Sequence, residues 1–308
     1  MSERAQSGIA LIGVLWGIVL MTVLAAGLSA NMRDDARLAG NLLGSVQARH
    51  AAEGGVQVAL LALLARNTTG GWQAGDTVHE LSIGEASVRV TLRSESGRID
   101  LNRAPQALLE ALLQSSGVDE EARRRLVAAI LDWRDADSSP RAGGAEDPDY
   151  VAAGKPYGAK DGPFESVDEL QLVLGMTPEL FRDLQPALTV HSRLAGVNPE
   201  AASRPVLIAL RKGDYEGIDS YLEEREDNRR NGLPAPPFVP AIGQPLVRTS
   251  GPAFRVHAQA RLANGATAHV SAIVGMRARD PRTPFTVLDW RHEGPELFSF
   301  AGGENRWT

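Results

Sequence analysis

The sequence contains no cysteine among its 308 residues, which excludes a disulfide, a thiolate metal site and a cysteine nucleophile. It also lacks an excess of positive charge. Lysine and arginine number 32 against 38 aspartates and glutamates, a net charge of -6. That balance argues against broad nucleic-acid binding, which favours basic surfaces. The histidines, His50, His79, His191, His257, His269 and His292, are scattered. No pair has metal-ligand spacing on an expected helix, so surface or polar-face positions are expected for them. No Ser-His-Asp ordering, phosphate-binding glycine loop or nucleophile elbow stands out, and no catalytic residue is assigned. Hydrophobic residues make up 43% of the chain, enough to fold one or two domains beside a membrane helix.

A further absence is local. Gly8 to Leu28 carries no charge, and only seven residues precede it. About 20 residues at 1.5 Å each span a bilayer core as a helix. A secretory signal has a shorter apolar centre followed by a small-x-small cleavage site. Here the small residue, Gly8, comes before the apolar run. That order points to a short leader, residues 1–8, trimmed on the inner side while the apolar helix is kept. A plain single-pass anchor is the alternative. Arg4 lies before the run and Arg33 and Arg37 after it, so the positive-inside rule signals orientation weakly.

From Met32 to Arg66 there is no proline, and Leu38, Leu42, Val46, Val56, Leu60, Leu61 and Leu64 recur at helical spacing. A continuous helix over 9–66 would be about 87 Å long. Gly54-Gly55 would weaken or bend it, and the turn residues of 67–71 would end it. Val88, Val90 and Leu92 then alternate with Arg89, Thr91 and Arg93 as a strand. A hairpin is expected near the other end. Phe254, Val256, Ala258, Ala260 and Leu262 lead into an Asn264-Gly265 turn, and Ala268 to Met276 leads back. Residues 284–290 would add an edge strand. Between the strands, 105–114, 120–133, 166–174, 178–188, 201–210 and 217–226 read as helices, closed by a proline-rich linker, 231–245. The expected fold is therefore α+β. A long N-terminal transmembrane helix, 9–66, packs on a small antiparallel sheet made from 67–96 and 237–308, and an all-helical domain, 97–236, is inserted into that sheet.

Asp132, Asp135, Asp137, Glu146, Asp147 and Asp149 crowd a short stretch. Read from Asp135, the spacing matches an EF-hand calcium loop: Asp135 at position 1, Asp137 at 3, Ser139 at 5 and Glu146 at 12. Pro140 stands at position 6, where an EF-hand has glycine for its sharp turn. On the residues alone, a solvated acidic loop competes with the calcium reading. Carboxylates this close repel one another without a cation.

Ile99-Asp-Leu-Asn-Arg-Ala-Pro105, followed by Leu108, Leu109 and Leu112, resembles the start of a helix-hairpin-helix module, with Gly117-Val118 as its hairpin. Such modules bind phosphate at helix N-termini. Here the second helix opens with Asp119, Glu120 and Glu121, which suit the helix dipole and repel phosphate. Trp16, Trp72 and Trp133 read as packing groups.

The leader resembles the class III signal of type IV pilins and pseudopilins, which are cut after a glycine and methylated on the new amine. Most of those carry Glu at the fifth mature position, where this sequence has Gly13. That leader, Ile99–Ala104, Asp132-Trp-Arg-Asp-Ala-Asp137, Gly144-Ala-Glu-Asp147, Pro163–Leu170 and Val173-Leu-Gly-Met-Thr177 together resemble the minor pseudopilin K family of type II secretion systems, over nearly the whole chain. The resemblance implies a non-enzymatic subunit with a pilin fold and a large helical insertion. It implies cleavage by prepilin peptidase between Gly8 and Ile9, methylation of Ile9, an inner-membrane anchor and a periplasmic body. It also implies a place at the pseudopilus tip, where such a subunit helps initiate assembly and supports protein export, with minor pseudopilins I, J and H as partners and no nucleic acid. Finally it favours calcium, held by Asp135, Asp137 and Glu146, with Asp132, Ser139 and Asp147 as further ligands. Two other readings are a membrane-anchored helix-hairpin-helix DNA receptor and a calcium-binding adhesin on a single-pass anchor.

Overall fold

The computed structural model describes residues 6–65, 71–241, 243–276 and 282–293, without the side chains of 6–10, 27–31 and 33–36. Most of the expected turn, 67–71, and most of the leader therefore lie outside the described residues. Helix α1, Gln6–Leu64, is a single helix of 59 residues and passes unbroken through Gly54-Gly55. Its later half packs on a sheet through Ala48, Ala52, Val56, Ala59, Leu60 and Leu63, all buried. The alanines among them let the helix lie close. A Cβ on Gly55 would stand 2.8 Å from Val88 Cγ1 and 3.1 Å from Val90 Cγ2. The glycine marks a close approach between helix and sheet. Contact begins at Gly44, which lies against the Asn264 side chain. Before it, Leu11, Leu15, Trp16, Met21 and Leu24 are each more than half exposed. Among the described residues, no helix is long and apolar enough to cross a membrane.

Strands β1, Val78–Ile83, and β2, Ala86–Ser94, form a hairpin around Gly84, whose φ is +59°. Then come β3 (Ile99–Asp100), α2 (Gln106–Ser115), α3 (Glu120–Arg134), α4 (Asp147–Ala152), α5 (Pro178–Leu184), β4 (Leu188–Thr189), α6 (Arg204–Leu210) and α7 (Ile218–Arg230). Strands β5 (Ala253–Arg261), β6 (Thr267–Met276) and β7 (Phe285–Glu293) follow. The antiparallel sheet runs β1-β2-β5-β6-β7. Ser94 lies opposite Phe254 in the β2–β5 ladder, so the chain leaves the sheet and returns to the adjacent strand. Everything between is an excursion from one ladder. Asn264-Gly265 makes the β5–β6 turn, with Gly265 at φ +87°.

The excursion has its own core around Leu108, Leu112, Ile130, Trp133, Tyr150, Leu170, Leu207 and Leu210. A separate core fills the space between α1 and the sheet. The excursion is not purely helical, contrary to the all-helical domain that the sequence pattern predicts for 97–236. Ile99 pairs with Leu188, and Asp100 with Thr189, in a short parallel ladder. Residues 166–174 form a 3-10 turn over Val167–Leu172. α5 ends at Leu184, ahead of Pro186, which has no N–H to extend a helix. α4 is a helix that the hydrophobic pattern did not signal.

Three polar joints fasten the excursion to the sheet. Glu95, 1% exposed in the turn after β2, pairs with Arg255 Nε of β5 at 2.8 Å and accepts the Thr189 hydroxyl. Burial pushes the Glu95 carboxyl up, but Arg255, Arg98 and Thr189 together hold it down to about 2. Asp76 joins Arg93 of β2, at 3.0 Å, to the buried Arg225 of α7, at 3.3 Å. Asp168 meets Arg291 of β7 at 2.9 Å.

Candidate functional site

The acidic loop begins at the end of α3. Asp119 caps the start of that helix, accepting from the Glu121 and Ala122 N–H groups at 3.1 and 3.0 Å. Leu126, Val127, Ile130 and Trp133 bury its inner face. Asp132 lies on that face with no exposure at all. A carboxylate in the last turn of a helix is unfavourable to the dipole, so it depends on partners. It accepts the Ala145 N–H at 2.9 Å, the Arg141 N–H at 3.2 Å and Arg141 Nη1 at 2.6 Å. Gly144 makes room, since a Cβ there would stand 1.8 Å from Asp132 Oδ2.

Residues 135–146 separate α3 from α4, so the loop carries the helix-loop-helix order of an EF-hand. The left-handed turn falls at Gly143, φ +79°, rather than at position 6. Asp135 binds Arg141 through Oδ2, and its Oδ1 is buried without a hydrogen bond. Asp137 accepts the Ser139 N–H at 3.0 Å, which folds the loop back on itself. Glu146 is 2% exposed, and neither of its carboxylate oxygens has a hydrogen-bond partner. Its own N–H donates to Asp149 Oδ2 at 3.0 Å. Burial, then the charges of Asp132, Asp161, Asp135 and Asp137, push its carboxyl up to about 7. Asp147 instead presses on Gly158, where a Cβ would stand 1.8 Å from Oδ1.

Of the residues expected at the site, Asp132, Asp135, Asp137 and Glu146 thus act on one another. Ser139 takes part through its backbone, and Asp147 faces away to Gly158. Asp161 and Arg141 were not anticipated. Asp161, at φ 52°, arrives because the next residue, Gly162, donates to the Trp133 carbonyl at 3.3 Å. Beneath the loop, Trp133 packs between Tyr150 and Phe164, with centroids at 5.8 and 6.2 Å, consistent with a packing role. Among the described residues, no group of three or more histidine or acidic side chains is positioned to hold a metal ion. The chemistry of the donor set nevertheless fits a hard cation: three buried carboxylate oxygens, on Asp135 and Glu146, lack hydrogen bonds. Arg141 holds Asp132 Oδ1 and Asp135 Oδ2.

Elsewhere, two histidines distant in sequence share one acid. His50 Nδ1 lies 3.1 Å from Glu53 Oε2, and His292 Nε2 lies 3.8 Å from Glu53 Oε1. Burial and the nearby Arg255, Arg98 and Arg93 push His257 down to about 3. Trp72 stacks on His79 with centroids 3.8 Å apart. The α2–α3 hairpin turns at Gly117, φ +79°, and the first N–H groups of α3 are taken by Asp119.

A family model described as type II secretion system (T2SS), protein K, matches residues 90–193, which include both the Glu95 joint and the acidic loop. The type II secretion system protein K of Pseudomonas aeruginosa is 31% identical over 247 residues, 72% of this chain and 73% of that protein. The protein of the same name from Klebsiella pneumoniae is 28% identical over 233 residues, 67% and 70% of the two chains. In three dimensions the chain is similar to a chain of the GspK-GspI-GspJ complex from the type 2 secretion system of enterotoxigenic Escherichia coli. The TM-score is 0.52 at 18% identity, covering 86% of this chain and 99% of that one.

Proposed function

The chain belongs to the type II secretion system protein K family, and from that premise we propose that it occupies the tip of the pseudopilus, helps initiate assembly there and so supports export of proteins from the periplasm. As a member of that family it is a minor pseudopilin, a structural component and not an enzyme. The observation that carries the tip reading is the Glu95–Arg255–Thr189 joint. Together with Asp76–Arg225 and Asp168–Arg291, it favours one fixed attitude for the excursion beside the sheet. A lateral body held that firmly would collide with its own copies at every filament step, whereas a single copy at an end collides with nothing. Gly13 supports the same place. In pilin-like filaments an acid at this position neutralises a neighbour's amine within the apolar bundle, and an unpaired charge there is costly. A subunit with no neighbour above it has no need of that acid.

In this reading α1, through 9–28, anchors the chain in the inner membrane after prepilin peptidase removes residues 1–8, and the body lies in the periplasm. The same exposed apolar helix joins minor pseudopilins I and J, the partners named for the similar solved complex, and H. Calcium is the cofactor of the acidic loop. Asp135, Asp137 and Glu146 hold it, with Asp132 and Asp161 adding charge and Ser139 and Asp147 at the margin. The unbonded oxygens of Asp135 and Glu146 support this.

Immunogold labelling of overproduced filaments tests the tip assignment. Labels confined to one end are expected, and regular labels along the length would overturn it.

A further inference from the structure

Resting on the calcium reading of the acidic loop, we infer that Arg141 is a built-in competitor of the cation, holding Asp132 and Asp135 in the ion-free protein and leaving them when the ion binds. The geometry is direct. Arg141 Nη1 donates both to Asp132 Oδ1, at 2.6 Å, and to Asp135 Oδ2. One nitrogen thereby sits between the two carboxylates that precede the loop's turn. Calcium requires six to eight oxygen ligands at about 2.3–2.6 Å. The guanidinium nitrogen already fills the space between the two carboxylates, and its positive charge repels a divalent ion there. Seated guanidinium and bound ion therefore oppose each other beside Asp132 and at Asp135, whose Oδ2 takes the arginine while its Oδ1 stays unbonded.

The charges point the same way. Arg141 brings one positive charge to a cluster of Asp132, Asp135, Asp137, Glu146 and Asp161. It reaches the first two and leaves the Glu146 carboxylate without a hydrogen bond. The other cations nearby are committed elsewhere. Arg134 donates to the Leu101 and Ala104 carbonyls, and Lys160 pairs with Glu169 at 2.8 Å. The two ends of the Arg141 contact also differ in mobility. Asp132 has no exposure, while the Arg141 side chain is 43% exposed. The guanidinium can swing into water without opening the core. The Arg141 backbone N–H, at 3.2 Å from Asp132 Oδ2, would keep the loop anchored as it goes.

Such a competitor reduces apparent affinity in proportion to the fraction of molecules in which it is unseated. It also gives the ion-free loop a substitute counter-charge, so that the protein folds before it meets calcium. The test is calorimetric titration of calcium chloride into the full chain in detergent micelles. Arg141→Ala should bind calcium about tenfold more tightly than the wild type, and Arg141→Lys, which keeps the charge without the fork, should gain less. With chelator the alanine variant should melt below the wild type, and in saturating calcium the two should coincide. Unchanged or weaker calcium binding by both variants, beside clear binding by the wild type, would overturn the competitor role. No calcium binding by the wild type would overturn the calcium reading itself, and this inference with it. If Arg141→Ala folds only with calcium present, its dependence on the ion supports the substitution of one cation for the other, and Arg141→Lys then supplies the affinity comparison.

Discussion

Glu95 and Arg255 form a buried ion pair between the turn that leaves the sheet and the strand that returns to it, with Arg255 Nε 2.8 Å from Glu95 Oε1. Arg98 at 3.8 Å and the Thr189 hydroxyl complete the shell around the carboxylate. A buried pair of this kind contributes little net stability, but removing one partner leaves an uncompensated charge. Glu95→Ala should therefore destabilise the protein by about 3 kcal/mol or more. A double replacement, Glu95→Leu with Arg255→Met, should cost less than either single change. Urea unfolding of the double variant and of Glu95→Leu and Arg255→Met alone checks this, and additive costs would show that the pair is not coupled. The pH dependence follows from the sign of the shift. The folded carboxyl titrates at about 2, below its ordinary value of 4.5. The stability it contributes is complete above 4.5 and is lost as pH falls toward 2.

Glu146 has the opposite sign. Its carboxyl is held up to about 7 from an ordinary 4.5, so the folded protein keeps a proton that the unfolded chain releases. With chelator, its contribution to stability should fall as pH rises from 4.5 to 7 and stay low above that. Glu146→Gln removes the titration. The variant should melt higher than the wild type at pH 8 without calcium, by roughly a few degrees, and match it more closely near pH 4.5. If calcium binds here, adding it should raise the wild-type melting point at pH 8 and leave the variant unmoved, since the ion requires the ionised carboxylate. Identical pH profiles for the two proteins would refute the assigned environment of Glu146.

The elements that were legible in the sequence are those with long periodic patterns. α1 and the β5–β6 hairpin repeat over many residues, and the helices between β2 and β5 interrupt one alternating pattern before another resumes. That order alone implies an excursion from a single ladder. The β3–β4 ladder was not legible because two residues per strand carry no alternation. α4 was hidden for a similar reason, with six residues of which only Tyr150 is buried. At the site, the crowding of Asp132, Asp135, Asp137 and Glu146 was legible as composition. What it does was not. Asp161 comes in through a main-chain bond to Trp133, and Arg141 folds back over two acids, both set by tertiary contact. The shared acid of His50 and His292 likewise depends on how β7 lies against α1.

Gly54 and Gly55 should respond differently to the same change. Both lie in the middle of α1, where alanine is favoured over glycine by about 1 kcal/mol. At Gly54 the new Cβ meets Ile83, at 3.3 Å from Cδ1, the far end of the side chain, which can move aside, and at an ordinary 3.5 Å from Cγ2. At Gly55 it would stand 2.8 Å from Val88 Cγ1, within the packed face of the sheet. Gly54→Ala should therefore be neutral or stabilising, and Gly55→Ala destabilising, with Gly55→Leu worse by about 1–3 kcal/mol of overpacking. Thermal melting of the three variants decides. Equal gains at both positions would show that α1 does not lie so close to β2.

Cleavage between Gly8 and Ile9, followed by methylation of the Ile9 amine, is expected in cells with an active secretion system. The motive is a polar leader ending in glycine directly before an uncharged run. Intact-mass measurement of the membrane-extracted protein should show loss of residues 1–8 and the added methyl group. An intact leader would refute it. Gly8→Val should block processing, because a branched side chain crowds the scissile bond. The mature chain would then begin inside α1, with its positive amine at a helix N-terminus, where the dipole disfavours it. A carboxylate at the fifth mature position could relieve that charge in a neighbour, but Gly13 has no side chain to do so. Gly13→Glu separates the two grounds for the tip assignment. If the lateral excursion is what confines the subunit, restoring the acid should leave gold labels at one end of the filament. Labels spreading along the length of Gly13→Glu filaments would mean that the missing acid, and not the excursion, had kept the subunit out.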